Sequence, residues 1–290
     1  MGQGLCAPGP QEKRFAAYME GLAQTAGHQD RQEPLKNYCK GLLLPGERKS
    51  IEPMAARLDP DGTQPMRQSL HHLVAKAPWS DDAILHQVCN EVLPAMQKHG
   101  PVVAWIVDDT GFPKKGRHSV GVTRQYCGQV GKQENCRVAV SLSVATWSSS
   151  LPIAYRLYLP KEWAEDAERR QKAEVPAEIA FQTKPEIALD QIRAAIAAKA
   201  PSGVVLADAA YGINTEFREG LTELKLQLCG RGAKLDDGLG AGQTALGCQA
   251  PRKHGAASAS VATIRESSPR LRETVGHESS WRGIQGTHLA

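Results

Sequence analysis

The stretch that most constrains the fold is VVAWIVDD at residues 102–109, an apolar run that ends in two adjacent carboxylates. A near-continuous apolar run of this length is typical of a β-strand that is covered on both faces. Such strands occur in sheets flanked by helices, so the run predicts a layered α/β architecture. Asp108 and Asp109 are therefore expected at the mouth of a buried strand, where an unpaired charge is costly.

The sequence around this run divides into a helical first part and a mixed second part. Apolar residues at helical spacing predict helices over 12–44, 47–58 and 66–100, with a break at Pro78 and a cap at Ser80. Further along, strands are predicted at 102–109, 136–147, 151–160, 203–208 and near 226–230, and helices at 183–199 and 214–225. Hairpin strands followed by alternating strands and helices indicate a mixed sheet covered by helices.

The regular pattern ends near Gly230. Ten of the 27 glycines lie in residues 230–290, and Trp281 is the single aromatic residue there. No helical or strand period persists in this segment, so we expect a low-order tail.

Charge and cysteine content set broad limits on function. The formal net charge of +4 permits a polyanionic partner. Seven cysteines without a CxxC pair are expected to be reduced intracellular thiols, although Cys127 and Cys136 are close enough in a hairpin to pair. The sequence has no signal-peptide core and no run of 18 apolar residues, so we expect a cytoplasmic protein without a membrane span.

Carboxylates at two predicted strand ends carry the chemical hypothesis. Asp108 or Asp109 ends one strand and Asp208 ends another, and the carboxyl ends of parallel strands gather ligands. Hard oxygen ligands suit Mg²⁺ or Mn²⁺, and two such ions about 3.5–4 Å apart promote phosphodiester cleavage. Neighbouring cations would then neutralise a nucleic-acid backbone. These cations are Lys114, Lys115, Arg117 and Arg124.

A purely structural interpretation of the same residues is also open. An aspartate after a strand often forms a turn or caps a helix. Asp108–Gly111 reads equally as a tight turn in which Gly111 supplies a positive φ, and the lysines that follow read as a solvated loop.

Several long blocks, in a fixed order, resemble the DDE transposases of bacterial insertion sequences. The resemblance covers roughly residues 12–228, including the helical segments ERKSIEPMAARL and QSLHHLVAKAPWSDDAIL. The blocks that carry it most strongly are WIVDDTGFPKKGRHSVGVTRQYCGQVGKQENCRVAVSLSVA, LPIAYRLYLPKEWAED, TKPEIAL and VVLADAAYG.

The resemblance implies a ribonuclease H-like catalytic domain. In that fold the first catalytic Asp lies on the first strand, the second follows the fourth strand, and a Glu lies on a later helix. The related pattern hydrophobic-hydrophobic-Asp-x-Thr falls on Asp108 and Thr110, so Asp108 is preferred over Asp109 as a metal ligand beside Asp208. Asp109, which remains a further candidate ligand, is then expected to cap the following turn.

The resemblance also implies an organisation and partners. Residues 1–100 would be a helical region that binds the terminal inverted repeats, 101–229 an incomplete catalytic core, and 230–290 the tail. The implied activity is Mg²⁺- or Mn²⁺-dependent hydrolysis at the transposon ends, followed by transfer of the 3′-OH into target DNA. A homo-oligomer associated with the bacterial nucleoid is implied as well.

The likeness stops near Leu228, before the helix that would carry the third carboxylate. The tail offers Glu266, Glu273 and Glu278, none on a convincing amphipathic helix. An abrupt change from patterned to Gly-, Ala- and Arg-rich sequence is what a shifted reading frame produces. We therefore expect a truncated or frameshifted transposase with impaired cleavage, or alternatively a non-catalytic remnant that binds terminal repeats.

Overall fold

The computed structural model describes residues 9–229, which begin with five helices. The fifth helix begins at the cap that the sequence predicts, where Ser80 Oγ accepts a hydrogen bond from the Ala83 N–H at 3.1 Å. Pro78 lies in the break before it, as predicted. The helices are α1 Pro10–Gln24, α2 Gln29–Leu43, α3 Ile51–Leu58, α4 Thr63–Ala75 and α5 Asp81–Gln97.

A mixed sheet follows the helices. Its long third strand pairs antiparallel with the first, second and fourth strands, whereas the fifth strand is parallel to the first and the sixth is parallel to the fifth. The strands are β1 Ala104–Pro113, β2 Thr123–Cys127, β3 Lys132–Ala145, β4 Ser150–Leu157, β5 Val204–Leu206 and β6 Leu228–Cys229. Strands β4, β3 and β1 are neighbours in the sheet and pair antiparallel, and β5 and β6 follow beside β1 in parallel orientation. This is the ribonuclease H-like arrangement that the resemblance implies.

Five more helices connect the later strands. The longest begins with a capping box, in which the Thr183 hydroxyl and the Glu186 carboxylate each accept from the other residue's backbone N–H, as the Thr-x-x-Glu sequence predicts. These helices are α6 Lys161–Ala164, α7 Ala167–Lys172, α8 Lys184–Ala197, α9 Ala209–Gly212 and α10 Thr215–Glu223. Sequence periodicity does not reveal α6, α7 or α9, because each is shorter than two turns.

One face of the sheet forms the main core. Trp105 and Val107 of β1 point to this face, beside Val140, Leu142 and Val144 of β3, and all five are at most 2% exposed. Apolar residues of α5, α8 and α10 complete the same cluster. The other face of β1 is only partly covered: Ile106 is half-buried, and Asp108, Thr110 and Phe112 are exposed. The strand is therefore buried on both faces only at its beginning.

The structure corrects the turn interpretation of Asp108–Gly111. Strand β1 continues through all four residues to Pro113, and Gly111 does not have a positive φ. Its absence of a side chain serves close packing instead, since a Cβ atom there would lie 2.7 Å from the Cys127 sulfur of β2. The sequence pattern missed β2 because its inward positions include the polar Thr123 and Gln125.

Two further expectations concern cysteines and membranes. Cys127 and Cys136 are both buried free thiols, so the hairpin disulfide does not form. Among residues 9–229, no helix has the length and apolar character needed to cross a bilayer. The predicted tail, with Glu266, Glu273 and Glu278, lies outside the described residues.

Candidate active site

The parallel pairing of β1 with β5 brings Asp108 and Asp208 together. Ala104, Trp105 and Ile106 pair with Val204, Val205 and Leu206, so each partner lies 100 positions further along the chain. Asp108 and Asp208 each lie two residues beyond the last of these pairs, and the backbone of Asp208 is still extended (φ −72°, ψ 175°). Beyond these pairs the two side chains remain near each other, since the negative charge of Asp208 acts on the Asp108 carboxylate. Asp208 follows the fifth strand of the structure and the fourth strand of the prediction. The difference arises because the short strand β2 was not predicted from the sequence.

The pKa of Asp108 also reflects the proximity of Asp208. Although Asp108 as a residue is exposed, partial desolvation of its carboxyl group raises its pKa above the ordinary value, and the negative charges of Asp109 and Asp208 raise it further. The hydrogen bond from the Asp109 N–H to Asp108 Oδ1, 2.8 Å long, opposes this shift. A carboxylate whose pKa is raised by neighbouring negative charges lies at a site that a divalent cation would stabilise.

Backbone contacts position both side chains. Asp208 is the N-cap of α9, where its Oδ1 accepts from the N–H groups of Ala210 and Tyr211 at 2.9 and 3.2 Å. The helix-cap interpretation is therefore correct for Asp208, and it leaves Oδ2 without a hydrogen bond to any residue in 9–229. Asp108 Oδ2 likewise accepts no hydrogen bond from any residue in 9–229. Each of the two aspartates therefore has one carboxylate oxygen that could bind a ligand. Behind Asp108, the Ser141 hydroxyl donates to its carbonyl oxygen at 3.3 Å.

Asp109 has a different role from the one expected. It does not cap a turn: its side chain lies on the opposite face of β1, where Oδ2 accepts from Lys184 Nζ at 2.6 Å and Oδ1 accepts from the Tyr211 hydroxyl. Burial, together with the charge of Asp109, raises the pKa of Tyr211 far above its ordinary value. Both carboxylate oxygens are engaged, which disfavours Asp109 as a metal ligand. We call Asp109, Lys184 and Tyr211 the brace, because they tie β1 to α8 and to α9.

The candidate DNA-binding cations lie beyond the end of β1 and on β2. Lys115, Arg117 and Arg124 are exposed, and Lys114 is half-buried. Asn135 fixes the segment by donating from Nδ2 to the carbonyl oxygens of Lys114 and Gly116 at 2.6 and 2.9 Å. Hydrogen bonds to Asn135 thus hold the segment that follows β1 against β3.

Sequence reasoning missed Tyr211, Lys184 and Arg137 as residues of this region. Tyr211 and Lys184 lie 102 and 75 positions from Asp109, and no local pattern connects residues that far apart. Arg137 is the single charged residue of the predicted strand 136–147, which is a detectable signal, since a charged residue in a largely apolar strand usually has a specific partner.

The donor set fits a divalent cation but is incomplete within residues 9–229. Asp108 and Asp208 provide carboxylate oxygens of the kind that Mg²⁺ and Mn²⁺ prefer. Over the part of the chain that the structure describes, no group of three or more His, Cys, Asp or Glu side chains is arranged to hold a metal ion. A third side-chain ligand, if the chain has one, must come from outside that part.

The mixed sheet and the paired carboxylates at the ends of its first strand and its parallel neighbour define a ribonuclease H-like class of protein. Within that class, residues 21–235 match the sequence family described as DDE superfamily endonuclease, and the chain belongs to that family. A probable transposase for insertion sequence element IS701, from Microchaete diplosiphon, is 30% identical over 195 residues, or 67% of this chain and 47% of the relative. The chain therefore spans about half the length of the curated relative that it matches.

Proposed function

We propose that this chain is an insertion-sequence transposase in which Asp108 and Asp208 hold Mg²⁺ or Mn²⁺ against a DNA phosphate at the transposon end. The observation that carries the proposal is the register of β1 with β5, which brings the two aspartates near each other. The family match and the similarity to a probable transposase support the same assignment.

Each group has a distinct role in this proposal. A divalent ion supplies activation of water and stabilisation of the leaving oxygen in phosphodiester cleavage. Asp108 and Asp208 would bind that ion through their free oxygens, and the Asp109 N–H and the α9 backbone hold the two carboxylates in place. The exposed cations Lys115, Arg117 and Arg124, together with Lys114, would bind flanking phosphates. Residues 1–100, which include α1–α5, would bind the terminal repeats, and the chain would act as a homo-oligomer in the nucleoid.

We further propose that cleavage by this copy is impaired, because a third catalytic carboxylate is missing or displaced. Support comes from the two-carboxylate site within residues 9–229 and from the compositional change after Leu228. Translation of the coding DNA beyond codon 228 in the other two frames tests the origin of that change. A family-like sequence with a helical Glu in either frame supports a frameshift, and its absence from both contradicts one.

A nicking assay on the element's end sequences tests the metal site. We expect slow, Mg²⁺-dependent nicking that Asp208→Asn abolishes, because the amide preserves the helix cap but removes the charge. Asp166→Asn is the matched control: Asp166 also caps a short helix, accepting from the Arg169 N–H at 2.8 Å. Nicking that survives in Asp208→Asn contradicts the assignment.

The incomplete ligand set favours one alternative, a DNA-binding remnant without cleavage activity. This remnant would bind terminal repeats and compete with intact copies. A gel shift with the full chain separates the two functions: salt-sensitive binding to repeats without any nicking in Mg²⁺ or Mn²⁺ supports the remnant. Metal-dependent nicking excludes it.

A further inference from the structure

The exposed side of β1 continues across the sheet onto β3 and β2. Alternation along β1 places Asp108, Thr110 and Phe112 on one side. Phe112 pairs with Arg137 across the β1–β3 ladder, and directly paired residues share a side. Arg137 therefore lies on the same side of the sheet as Asp108.

The same rule extends this side to β2. Positions 135 and 133 of β3 share the side of Arg137, and they pair with Arg124 and Tyr126 of β2. The result is a continuous strip of aromatic and cationic side chains that begins at the candidate metal site and runs outward. We call Phe112, Arg137, Arg124, Tyr126 and the adjoining Lys114 the ribbon face.

The aromatic residues of the ribbon face do not serve the core. Phe112 is 44% exposed and Tyr126 is 60% exposed. On the opposite side of the same strands, Cys127, Cys136 and Val138 are almost completely buried and form their own small cluster. Packing of the hairpin is thus satisfied without the two exposed rings.

Two cations of the ribbon face, Arg137 and Lys114, lie close to each other. Arg137 and Lys114 are both half-buried and close enough that, after burial, the charge of Arg137 contributes to lowering the pKa of Lys114. Within residues 9–229, neither side chain forms an ion pair with an acidic residue. Two adjacent, partly desolvated cations without an acid are a site that an anionic group would stabilise.

We propose that the ribbon face binds an unpaired segment of the DNA strand next to the scissile phosphate, a proposal that rests on the proposed function. Phe112 and Tyr126 stack on bases, and Arg137 and Lys114 contact phosphates between them. Unpaired DNA fits better than duplex, because rings standing on a sheet reach only bases that are free of their own stack. Phe112 pairs with Arg137 and Tyr126 pairs with Gln133, and these two partners are four residues apart on β3. Four strand residues span roughly 14 Å, so the space between the two rings can hold more than one nucleotide.

Fluorescence anisotropy with a labelled oligodeoxythymidine of about 12 nucleotides, within the usual span of such platforms, measures the binding. Titrations use the full chain in EDTA, with a duplex of equal length as competitor. We expect tighter binding of the single strand, a loss of at least about fivefold in affinity for each of Phe112→Ala and Tyr126→Ala, and retained affinity in Phe112→Tyr and Tyr126→Phe. Arg137→Gln should reduce the salt dependence by about 0.7 in slope, the value for one phosphate on a single strand.

Trp147→Ala is the matched control, since Trp147 is 85% exposed in the β3–β4 turn, away from the ribbon face, and should leave affinity unchanged. Equal affinity for single strand and duplex, or wild-type affinity in both alanine variants, overturns the proposal. A third result also overturns the proposal: the wild type self-associates, the alanine variants do not, and no preference for single-stranded DNA is seen. The ribbon face would then be a contact between copies of the chain. The titration contains EDTA and no divalent ion, so its outcome does not depend on the metal site, which the nicking assay tests separately.

Discussion

Replacing Tyr211 with Phe removes the hydroxyl through which α9 is tied to β1, and we expect a measurable loss of stability. The Tyr211 side chain is almost fully buried, and its hydroxyl donates to Asp109, whose other oxygen binds Lys184 at 2.6 Å. Hydrogen bonds to charged groups contribute about 1.5–3 kcal/mol. The Asp109 side chain is 27% exposed and keeps Lys184, so water compensates part of the loss. We therefore expect the lower limit, about 1.5 kcal/mol.

Urea unfolding followed by circular dichroism measures this change. A loss of about 1.5 kcal/mol corresponds to about 3–6 °C in melting temperature for a domain of this size. Tyr155→Phe is the control, because Tyr155 is 50% exposed and its hydroxyl makes no hydrogen bond within residues 9–229, so a change under about 0.5 kcal/mol is expected. A stability of Tyr211→Phe equal to wild type, or an equal loss in Tyr155→Phe, would refute the stabilising role of the brace.

Other perturbations test the packing and the charges around the site. Gly111→Ala should destabilise the fold by about 1–3 kcal/mol in the same urea assay, because its Cβ atom would lie 2.7 Å from the Cys127 sulfur; an unchanged midpoint contradicts this packing. Burial and the neighbouring Cys127 raise the pKa of Cys136 to about 11, so at pH 8 its alkylation by iodoacetamide, followed by peptide mass mapping, should be about a hundredfold slower than in urea; equal rates contradict it. Because the pKa of Asp108 is raised, the folded state binds a proton at Asp108 more tightly than the unfolded state does. Protonation of Asp108 therefore favours folding, and its contribution to stability increases as the pH falls through the raised pKa. Asp208→Asn removes one cause of that shift and should diminish the increase in unfolding titrations between about pH 7 and pH 4; an identical pH profile contradicts the proximity of the two aspartates.

Strong local signals made much of the fold predictable. The Ser80 cap and the Thr183–Glu186 capping box define helix starts through contacts within three residues, and the Ser80 cap formed as predicted. The apolar runs before Asp108 and Asp208 predicted β1 and β5, because strands that enter a buried core need apolar residues. The order of hairpins and crossovers then gave the mixed sheet.

Pairings between distant segments were not predictable. Strand β2 was missed because its buried side is formed by Thr123, Gln125 and Cys127, which do not give an apolar alternation. Asp109 was expected to cap a turn, but the fold continues β1 beyond it and brings Tyr211 and Lys184 to its carboxylate. These contacts depend on tertiary register, which single-sequence patterns specify only weakly.

Binding of Mn²⁺ to the full chain, followed by the electron paramagnetic resonance signal of the free ion, tests the proposed metal site most directly. Wild type and Asp109→Asn should bind Mn²⁺ with similar affinity, because Asp109 is held by the brace and takes no part in the site. Asp108→Asn and Asp208→Asn should each lose binding, since each removes one of the two carboxylates that the register of β1 and β5 brings near each other. Undiminished binding in both of these variants, or loss of binding in Asp109→Asn alone, would contradict the assignment of Asp108 and Asp208 as the metal ligands.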